Sequence, residues 1–337
     1  MARAVAVTLP FLFILVAAIA EQSRALTVPP QLYDFPQAII AYNNEPLVSP
    51  SASPPFSSLR SVSPSPYSIS PFPASAPLVP AFFVIGDSAV DCGTNNYLGT
   101  FARADRPPYG RDFDTGRPTG RFCNGRIPVD FLALRLGLPF VPSYLGQKGT
   151  LADMIHGVNY ASAGAGIIFS SGSELNLYDM NVRKMVIMGM PPIGCAPHYL
   201  WKYGSKNGEC VEEINNMITE FNFLMRYIVD QLQYELPQAQ IIFCDVYEGS
   251  MDIIQNHANY GFTETTDACC GLGKYKGWVM CIAPEMACSN ASNHIWWDQY
   301  HPTAAVNSIL ADNVWNGLHS QMCYPMNLED MISARPK

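Results

Sequence analysis

The sequence has few charged side chains and no excess of basic ones. Only 14% of its 337 residues are Asp, Glu, Lys or Arg, and the formal net charge is -8. Because nucleic-acid-binding domains carry clustered positive charge, this balance argues against a nucleic-acid partner. The 48% hydrophobic content is typical of a globular protein, and the length suffices for one large domain or two small ones.

Long apolar runs are also scarce. The only extended one, Leu9–Ala20, is shorter than the roughly 20 residues that a membrane-spanning helix needs. It follows Arg3 and ends in small residues, which is the pattern of a secretory signal peptide. The sequence therefore predicts a cleaved signal over residues 1–25 rather than a membrane anchor. It also predicts an extracellular protein, with the cell wall as one location, and no integral membrane segment after cleavage.

Several cofactor and metal motifs are absent. The small-residue stretch Gly157–Gly166 does not form the Gly-x-Gly-x-x-Gly fingerprint, and no Ser or Thr follows the lysine in Gly271–Gly277 as a phosphate loop requires. Paired Cys-x-x-Cys knuckles and the Gly-x-Ser-x-Gly elbow are missing as well. We therefore expect no metal and no organic cofactor.

Ten cysteines are present, an even number. In a secreted chain this count predicts disulfides, whose connectivity the sequence does not give. For Cys244, which lies in an apolar run, a buried thiol is the alternative. The triplet Asn290-Ala-Ser292 is an N-glycosylation sequon and predicts a glycan on Asn290.

The chain divides by composition. Residues 26–77 are rich in Pro and Ser, which predicts an extended or disordered linker, with a wall-binding or O-glycosylated stalk as the alternative. Residues 78–337 have globular patterning. The predicted strands are Phe82–Ile85, Met185–Met188 and Ile241–Val246. The predicted helices are Ile127–Leu136, Val211–Leu236 and Ala304–Trp315.

Strands that alternate with helices predict an α/β fold with a mostly parallel sheet covered on both faces. Apolar residues recur at helical spacing in the second helix, namely Ile214, Met217, Ile218, Phe221, Leu224, Met225, Ile228 and Leu232. The Met and Phe residues among them are predicted to be core rather than ligand contacts.

Three short segments carry the chemistry. Ser88 follows an apolar strand at Gly86-Asp87-Ser88, which is where open α/β sheets place functional groups. Asp298 precedes His301 by three residues, so its carboxylate can reach the imidazole within one local turn. A serine needs such a base to become a nucleophile. Gly164 lies in a small-residue run whose backbone can approach a ligand, so its N–H and that of Ser88 are candidate oxyanion donors.

The joint order of these motifs resembles the plant GDSL esterase/lipase family of SGNH hydrolases. The resemblance extends from Ala76 to about Met331 and rests on six segments: Ala81–Asn96, Gly110–Gly125, Gly157–Ile167, Gly189–Cys195, Thr266–Gly271 and Asp298–Pro302. It implies a flavodoxin-like three-layer α/β/α sandwich that hydrolyses carboxylic esters without a cofactor. It also implies that Ser88 is the nucleophile, that Asp298 and His301 complete the triad, and that Gly164 is an oxyanion donor.

The chain departs from this family in two places. Ala89 stands where the family name expects Leu, and no Gly-x-Asn-Asp block lies between Gly164 and Met185. Asn176 and Asn181 lie in that gap without the Gly-x-Asn-Asp context. The break falls near residues 173–181, so we expect an incomplete sheet with exposed apolar faces. Loss of the asparagine donor costs roughly 10²–10³ in rate.

The leading hypothesis is a secreted serine ester hydrolase that acts on lipid or other acyl esters through an acyl-enzyme. The alternative is a non-catalytic relative or shortened gene product without the oxyanion-hole asparagine. A third reading is a structural wall protein that uses the Pro/Ser-rich linker.

Overall fold

The computed structural model describes residues 76–149, 154–166, 177–178 and 181–334. The predicted signal peptide, nearly all of the predicted linker and Asn176 lie outside these residues. No helix within the described ranges has the length and apolarity to cross a bilayer.

The α-helices are α1 (Pro128–Arg135), α2 (Pro197–Lys202), α3 (Glu212–Glu235), α4 (Val246–Gln255), α5 (Ala304–Asn316) and α6 (Leu328–Ser333). The helices predicted over Ile127–Leu136, Val211–Leu236 and Ala304–Trp315 are confirmed as α1, α3 and α5. In α1, Pro128 occupies the first turn, where its missing N–H costs nothing, and the Asp130 carboxylate accepts the N–H of Ile127. Helix α5 ends at Gly317, whose φ of 70° suits glycine.

The sheet is mixed. Strands β1 (Lys184–Met188) and β2 (Gln240–Cys244) pair in parallel, from Lys184 opposite Gln240 to Met188 opposite Cys244. The two-residue strand β3 (Cys323–Tyr324) pairs antiparallel with β2. The predicted strand Met185–Met188 is confirmed within β1. The predicted strand Ile241–Val246 was too long, because the Asp245 carboxylate accepts the N–H groups of Tyr247 and Glu248 and so starts α4.

The segment Phe82–Gly86 forms a second paired group. It runs parallel to residues 156–162 through four backbone hydrogen bonds, Phe82 N to His156 O, Val84 N to Val158 O, Tyr160 N to Val84 O and Ser162 N to Gly86 O. Gly157 permits this approach, since a Cβ there would collide with the Phe82 carbonyl. The predicted strand Phe82–Ile85 is therefore only partly correct. Among the described residues it pairs along one side and forms isolated bridges.

Side chains of β1 and β2 alternate between two cores, as the period of a strand requires. Ile241 and Phe243 pack with the inner face of α3, including Val229. Val186 and Ile242 lie in the larger core on the other face, to which α1, α4, α5 and α6 contribute. Helices thus cover both faces of the sheet, which confirms the predicted α/β class.

No backbone hydrogen bond between described residues joins Phe82–Gly86 to β1. The two segments nevertheless share a hydrophobic cluster, which contains Ile85 from the first segment and Met185 and Ile187 from β1. On α3, Leu224 is 57% and Ile228 is 47% exposed. The prediction that Met217 is core was wrong, since it is exposed too, whereas Phe221 and Met225 are half-buried against the cores as predicted. The apolar residues at helical spacing therefore form a face of α3 that is wider than the part packed against the described sheet.

Eight cysteines form four disulfides, Cys195–Cys210, Cys244–Cys323, Cys269–Cys288 and Cys270–Cys281. The alternative of a free thiol at Cys244 was therefore wrong, because β3 brings Cys323 opposite it. The buried free thiols are instead Cys92 and Cys123.

Candidate active site

The structure brings Ser88, His301 and Asp298 together. The Ser88 Oγ lies 2.8 Å from His301 Nε2, and His301 Nδ1 lies 2.8 Å and 3.0 Å from the two oxygens of Asp298. All three side chains are buried. The Phe122 ring packs against the imidazole with centroids 5.1 Å apart. This arrangement of nucleophile, base and orienting carboxylate can activate a serine hydroxyl.

A tight local turn fixes the carboxylate and the imidazole relative to one another. Asp298 Oδ1 accepts the backbone N–H groups of Tyr300 and His301, while the His301 carbonyl accepts the N–H of Trp297. Helix α5 begins shortly after this turn, at Ala304. The three-residue spacing seen in the sequence therefore leads to direct contact.

Tyr109 is a further partner of the carboxylate that the sequence reasoning missed. Its hydroxyl donates to Asp298 Oδ2 at 2.8 Å. Burial and the neighbouring Asp298 raise the pKa of Tyr109 well above its ordinary value, so the hydroxyl remains a donor. Burial by itself would raise the pKa of Asp298. The attraction of His301 and the hydrogen bonds outweigh burial and hold that pKa below 3.8. The carboxylate therefore stays ionised.

Gly164 lies in the same pocket as Ser88 and His301. Its φ is +85°, and a Cβ there would meet nothing within 4 Å, so backbone conformation rather than space favours glycine. Neither the Gly164 N–H nor the Ser88 N–H donates a hydrogen bond to any described residue. Both N–H groups are therefore free for a ligand.

Two polar side chains hold the loop before Gly164. The Asp91 carboxylate accepts the N–H of Ala163, and the Asn95 amide donates to the Ala163 carbonyl. Asn95 also accepts the hydroxyl of Ser162. The sequence predicts no role for Asp91 or Asn95, although both lie in a segment that carries the family resemblance. The reason is that their partners lie about seventy positions further along the chain.

No asparagine lines this pocket among the described residues. Asn181 is exposed, and its N–H donates to the Tyr178 carbonyl. Gln299 does line the pocket, but its amide donates to the Gly277 carbonyl at 2.6 Å. The structure therefore offers no described replacement for the missing asparagine donor.

The residue before the nucleophile, Asp87, is fully buried. Its Oδ1 accepts the N–H of Ala89 at 3.0 Å, and its Oδ2 has no hydrogen-bond partner. Burial raises the pKa of Asp87 from 3.8 to about 7, with only partial compensation from Ala89 and His301. Near neutral pH, a carboxyl group close to its own pKa thus adjoins Ser88.

We expect the contribution of Asp87 to the free energy of unfolding to fall as the pH rises from about 4 to 7. The folded state holds the Asp87 proton more tightly than the unfolded chain, so this carboxyl opposes folding above that window. The shift corresponds to a cost on the order of 4 kcal/mol at pH 8. Asp87→Asn should remove it and raise the free energy of unfolding at pH 8 but not at pH 4. Chemical denaturation at both pH values measures this difference.

Asp230→Asn is the matched control, since Asp230 is exposed on α3. It should change the free energy of unfolding little at either pH. A wild-type protein and an Asp87→Asn variant with parallel pH profiles would contradict the raised pKa.

The cysteines near the pocket do not suggest a metal centre. Within the described ranges, no group of three His, Cys, Asp or Glu side chains is placed to hold a metal ion. Cys269, Cys270, Cys281 and Cys288, whose spacing in the sequence could also be read as zinc ligation, are paired in two disulfides.

Comparison with known proteins agrees with the resemblance seen in the sequence. Residues 170–314 match the family described as GDSL-like Lipase/Acylhydrolase, a range that contains Asp298 and His301 and begins after Ser88. The chain is 32% identical over 338 positions to GDSL esterase/lipase At5g08460 of Arabidopsis thaliana, covering 75% of this chain and 88% of that protein. It is 31% identical over 339 positions to GDSL esterase/lipase 7 of the same plant, covering 76% and 92%.

These two alignments run over more positions than this chain contributes residues. The relatives therefore carry residues that have no counterpart in this chain. The alignments nevertheless cover nearly the whole length of each relative. These similarities show that the chain belongs to the GDSL-like lipase/acylhydrolase family and, by family resemblance, that it is a carboxylic ester hydrolase.

Proposed function

We propose that this chain is a serine ester hydrolase that cleaves lipid or other acyl esters through a covalent acyl-enzyme. The observation that carries the proposal is the 2.8 Å contact between Ser88 Oγ and His301 Nε2, with Asp298 on the opposite ring nitrogen. In this arrangement His301 can take the hydroxyl proton while the oxygen attacks a carbonyl carbon.

The first half-reaction forms the acyl-enzyme. Ser88 Oγ bonds to the ester carbon as its proton moves to His301 Nε2, and the carbonyl oxygen becomes an oxyanion. The free N–H groups of Ser88 and Gly164 are the proposed donors to that oxyanion. When the ester C–O bond breaks, the imidazolium returns the proton to the departing alcohol. Asp298 stays ionised throughout and stabilises the imidazolium.

The second half-reaction releases the acid. A water molecule gives a proton to His301 and attacks the acyl carbon, and the Ser88 oxygen leaves and regains its proton. With two backbone donors and no described side-chain amide, we expect a rate roughly 10²–10³ below that of a site with a third donor.

The absence of that amide also supports a second candidate, a relative that folds without turning over esters. A fluorophosphonate probe distinguishes the two, since it phosphonylates only an activated serine. We expect the purified protein to be labelled at Ser88 and Ser88→Ala to remain unlabelled. Ser333→Ala is the control, because Ser333 is exposed at the end of α6 and does not line the pocket, and it should label as the wild type does. A cooperatively melting protein without labelling would establish the second candidate.

We also infer that the protein is secreted, with residues 1–25 as a cleaved signal peptide. The four disulfides support this inference, because such bonds persist in oxidising compartments. The Asn290 side chain is exposed, as a glycan acceptor must be. Peptide-N-glycosidase should shift the mass of wild-type protein collected outside plant cells and not that of Asn290→Gln. An unglycosylated protein retained inside the cells would contradict both inferences.

A further inference from the structure

Two arginines line the pocket that contains Ser88, Gly164 and His301. They are Arg103 and Arg106. The rest of the described lining is mostly apolar, with Phe101, Ala102, Phe122, Ala163 and Met280 among its members. A pocket of this composition presents local positive charge even though the whole chain carries a net charge of -8.

Both arginines have an unsatisfied donor. The Nε atoms of Arg103 and Arg106 are shielded from solvent and make no hydrogen bond to any described residue. Arg103 still has a partial partner, since its Nε lies 3.5 Å from a carboxylate oxygen of Asp105. Arg106 forms no ion pair with any residue in the described ranges. A shielded donor without a partner is costly, so Arg106 has an unmet requirement for an acceptor.

Among the described residues, the pocket contains no negatively charged hydrogen-bond acceptor that is free to pair with Arg106. Its described carboxylate is Asp298, and both oxygens of Asp298 are occupied by His301, Tyr109 and backbone N–H groups. The described pocket thus offers Arg106 no acceptor. Because the shielded Nε is closed to a ligand as well as to solvent, an anion in the pocket would meet the terminal N–H groups, which make no hydrogen bond to a described residue either.

Arg106 is also held close to the triad. Its carbonyl accepts the N–H of Tyr109 at 3.2 Å, and Tyr109 donates to Asp298. The positive charge of Arg106 acts on that hydroxyl, where it opposes part of the rise in the pKa of Tyr109. A ligand anion at Arg106 would consequently lie near an ester carbonyl positioned at Ser88.

We infer that the active-site pocket selects esters that carry an anionic group, a carboxylate or a phosphate, near the scissile bond, and that Arg106 binds this group. The inference rests on the proposed esterase function and specifies its substrate class. A guanidinium suits the task, because its planar N–H groups match carboxylate and phosphate oxygens and keep their charge at all relevant pH values.

The test uses two pairs of esters that differ only in charge. One pair places a carboxylate on the acyl group, mono-(4-nitrophenyl) adipate against 4-nitrophenyl hexanoate. The other places a phosphate on the alcohol, 1-octanoylglycerol 3-phosphate against 1-octanoylglycerol. We expect kcat/KM of the wild type to favour the anionic member of at least one pair by about tenfold or more. The preferred pair identifies the side of the ester on which the anion lies.

The variants are Arg106→Gln, Arg106→Lys and, as a control of equal charge change, Arg117→Gln. Arg117 is exposed and does not line the pocket. Arg106→Gln should lower kcat/KM for the preferred anionic ester at least about tenfold more than for its neutral counterpart and so abolish the preference, whereas Arg117→Gln should retain it. Arg106→Lys should retain only part of it, because the bidentate fork is lost. A wild type without preference, or equal effects of the two glutamine variants, would overturn the inference.

A binding measurement separates this inference from the proposed function. Titration calorimetry compares hexanoate with the uncharged hexanamide on the wild type and on Arg106→Gln. We expect hexanoate to bind the wild type about tenfold more tightly than hexanamide does, and this difference to vanish in the variant. If no ester is hydrolysed and hexanoate still shows this dependence on Arg106, the proposed function fails while the anion site stands. If esters are hydrolysed and neither charge nor Arg106 matters, only the anion site fails.

Discussion

Replacing His301 by alanine is expected to lower kcat for 4-nitrophenyl hexanoate by a factor on the order of 10⁴–10⁶. The reason is that the Ser88 hydroxyl contacts this imidazole at 2.8 Å and has no other base within the described pocket. Ser88→Ala should reduce kcat by a similar factor. Steady-state kinetics with a chromogenic ester measure both effects, and circular dichroism checks that each variant is folded.

The double variant gives a sharper test of the same mechanism. Because Ser88 and His301 act as one unit, removing both should cost little more than removing either. His156→Ala is the control, since His156 is exposed and does not line the pocket, and it should hydrolyse the ester as the wild type does. A His301→Ala variant within tenfold of the wild type would refute the assigned base.

Asp298→Asn is expected to reduce kcat by about 10⁴-fold. The carboxylate accepts Nδ1–H of His301 and so leaves Nε2 free to receive the serine proton. An amide at this position can donate to Nδ1 instead, which places the ring proton on Nε2, where it blocks transfer. Loss of binding is not expected, so KM should change much less than kcat. A proportionate change in KM with kcat preserved would contradict this role.

Tyr109→Phe provides a smaller, matched perturbation of the same carboxylate. It removes one hydrogen bond to Asp298 and retains the aromatic contacts with Phe122 and Trp297. We expect kcat to fall by about tenfold. Because the lost hydrogen bond orients the carboxylate that holds His301, KM should change less than kcat. A raised KM with kcat preserved would show that Tyr109 acts in substrate binding rather than through Asp298.

The triad contacts do not depend on the deletion that the sequence predicts near residues 173–181. The contacts among Ser88, His301 and Asp298 come from segments on either side of those residues. Within the described residues, no backbone hydrogen bond joins Phe82–Gly86 to β1, and Leu224 and Ile228 on α3 are exposed. If the deletion is present, we expect it to affect the sheet and the oxyanion donors more than the nucleophile and its base.

Local sequence patterns were sufficient for several features. Pro128 and the apolar spacing predicted α1, and the run that ends at Pro237 predicted α3. The Asp-x-x-His spacing predicted the contact between Asp298 and His301, because a turn of three residues leaves little conformational freedom. The strand boundary at Asp245 was missed, since an apolar valine after a strand reads equally well as strand or as helix.

The family, the α/β class and the identity of the candidate triad could be predicted from the sequence, because these depend on residue type and order along the chain. Which cysteines pair, and that Tyr109 donates to Asp298, became evident in the folded structure. The folded structure also shows that Arg106 lines the pocket of Ser88 without a described partner. Each of these results depends on groups far apart in the chain that meet only when the core packs, and no periodicity or local spacing encodes such a meeting.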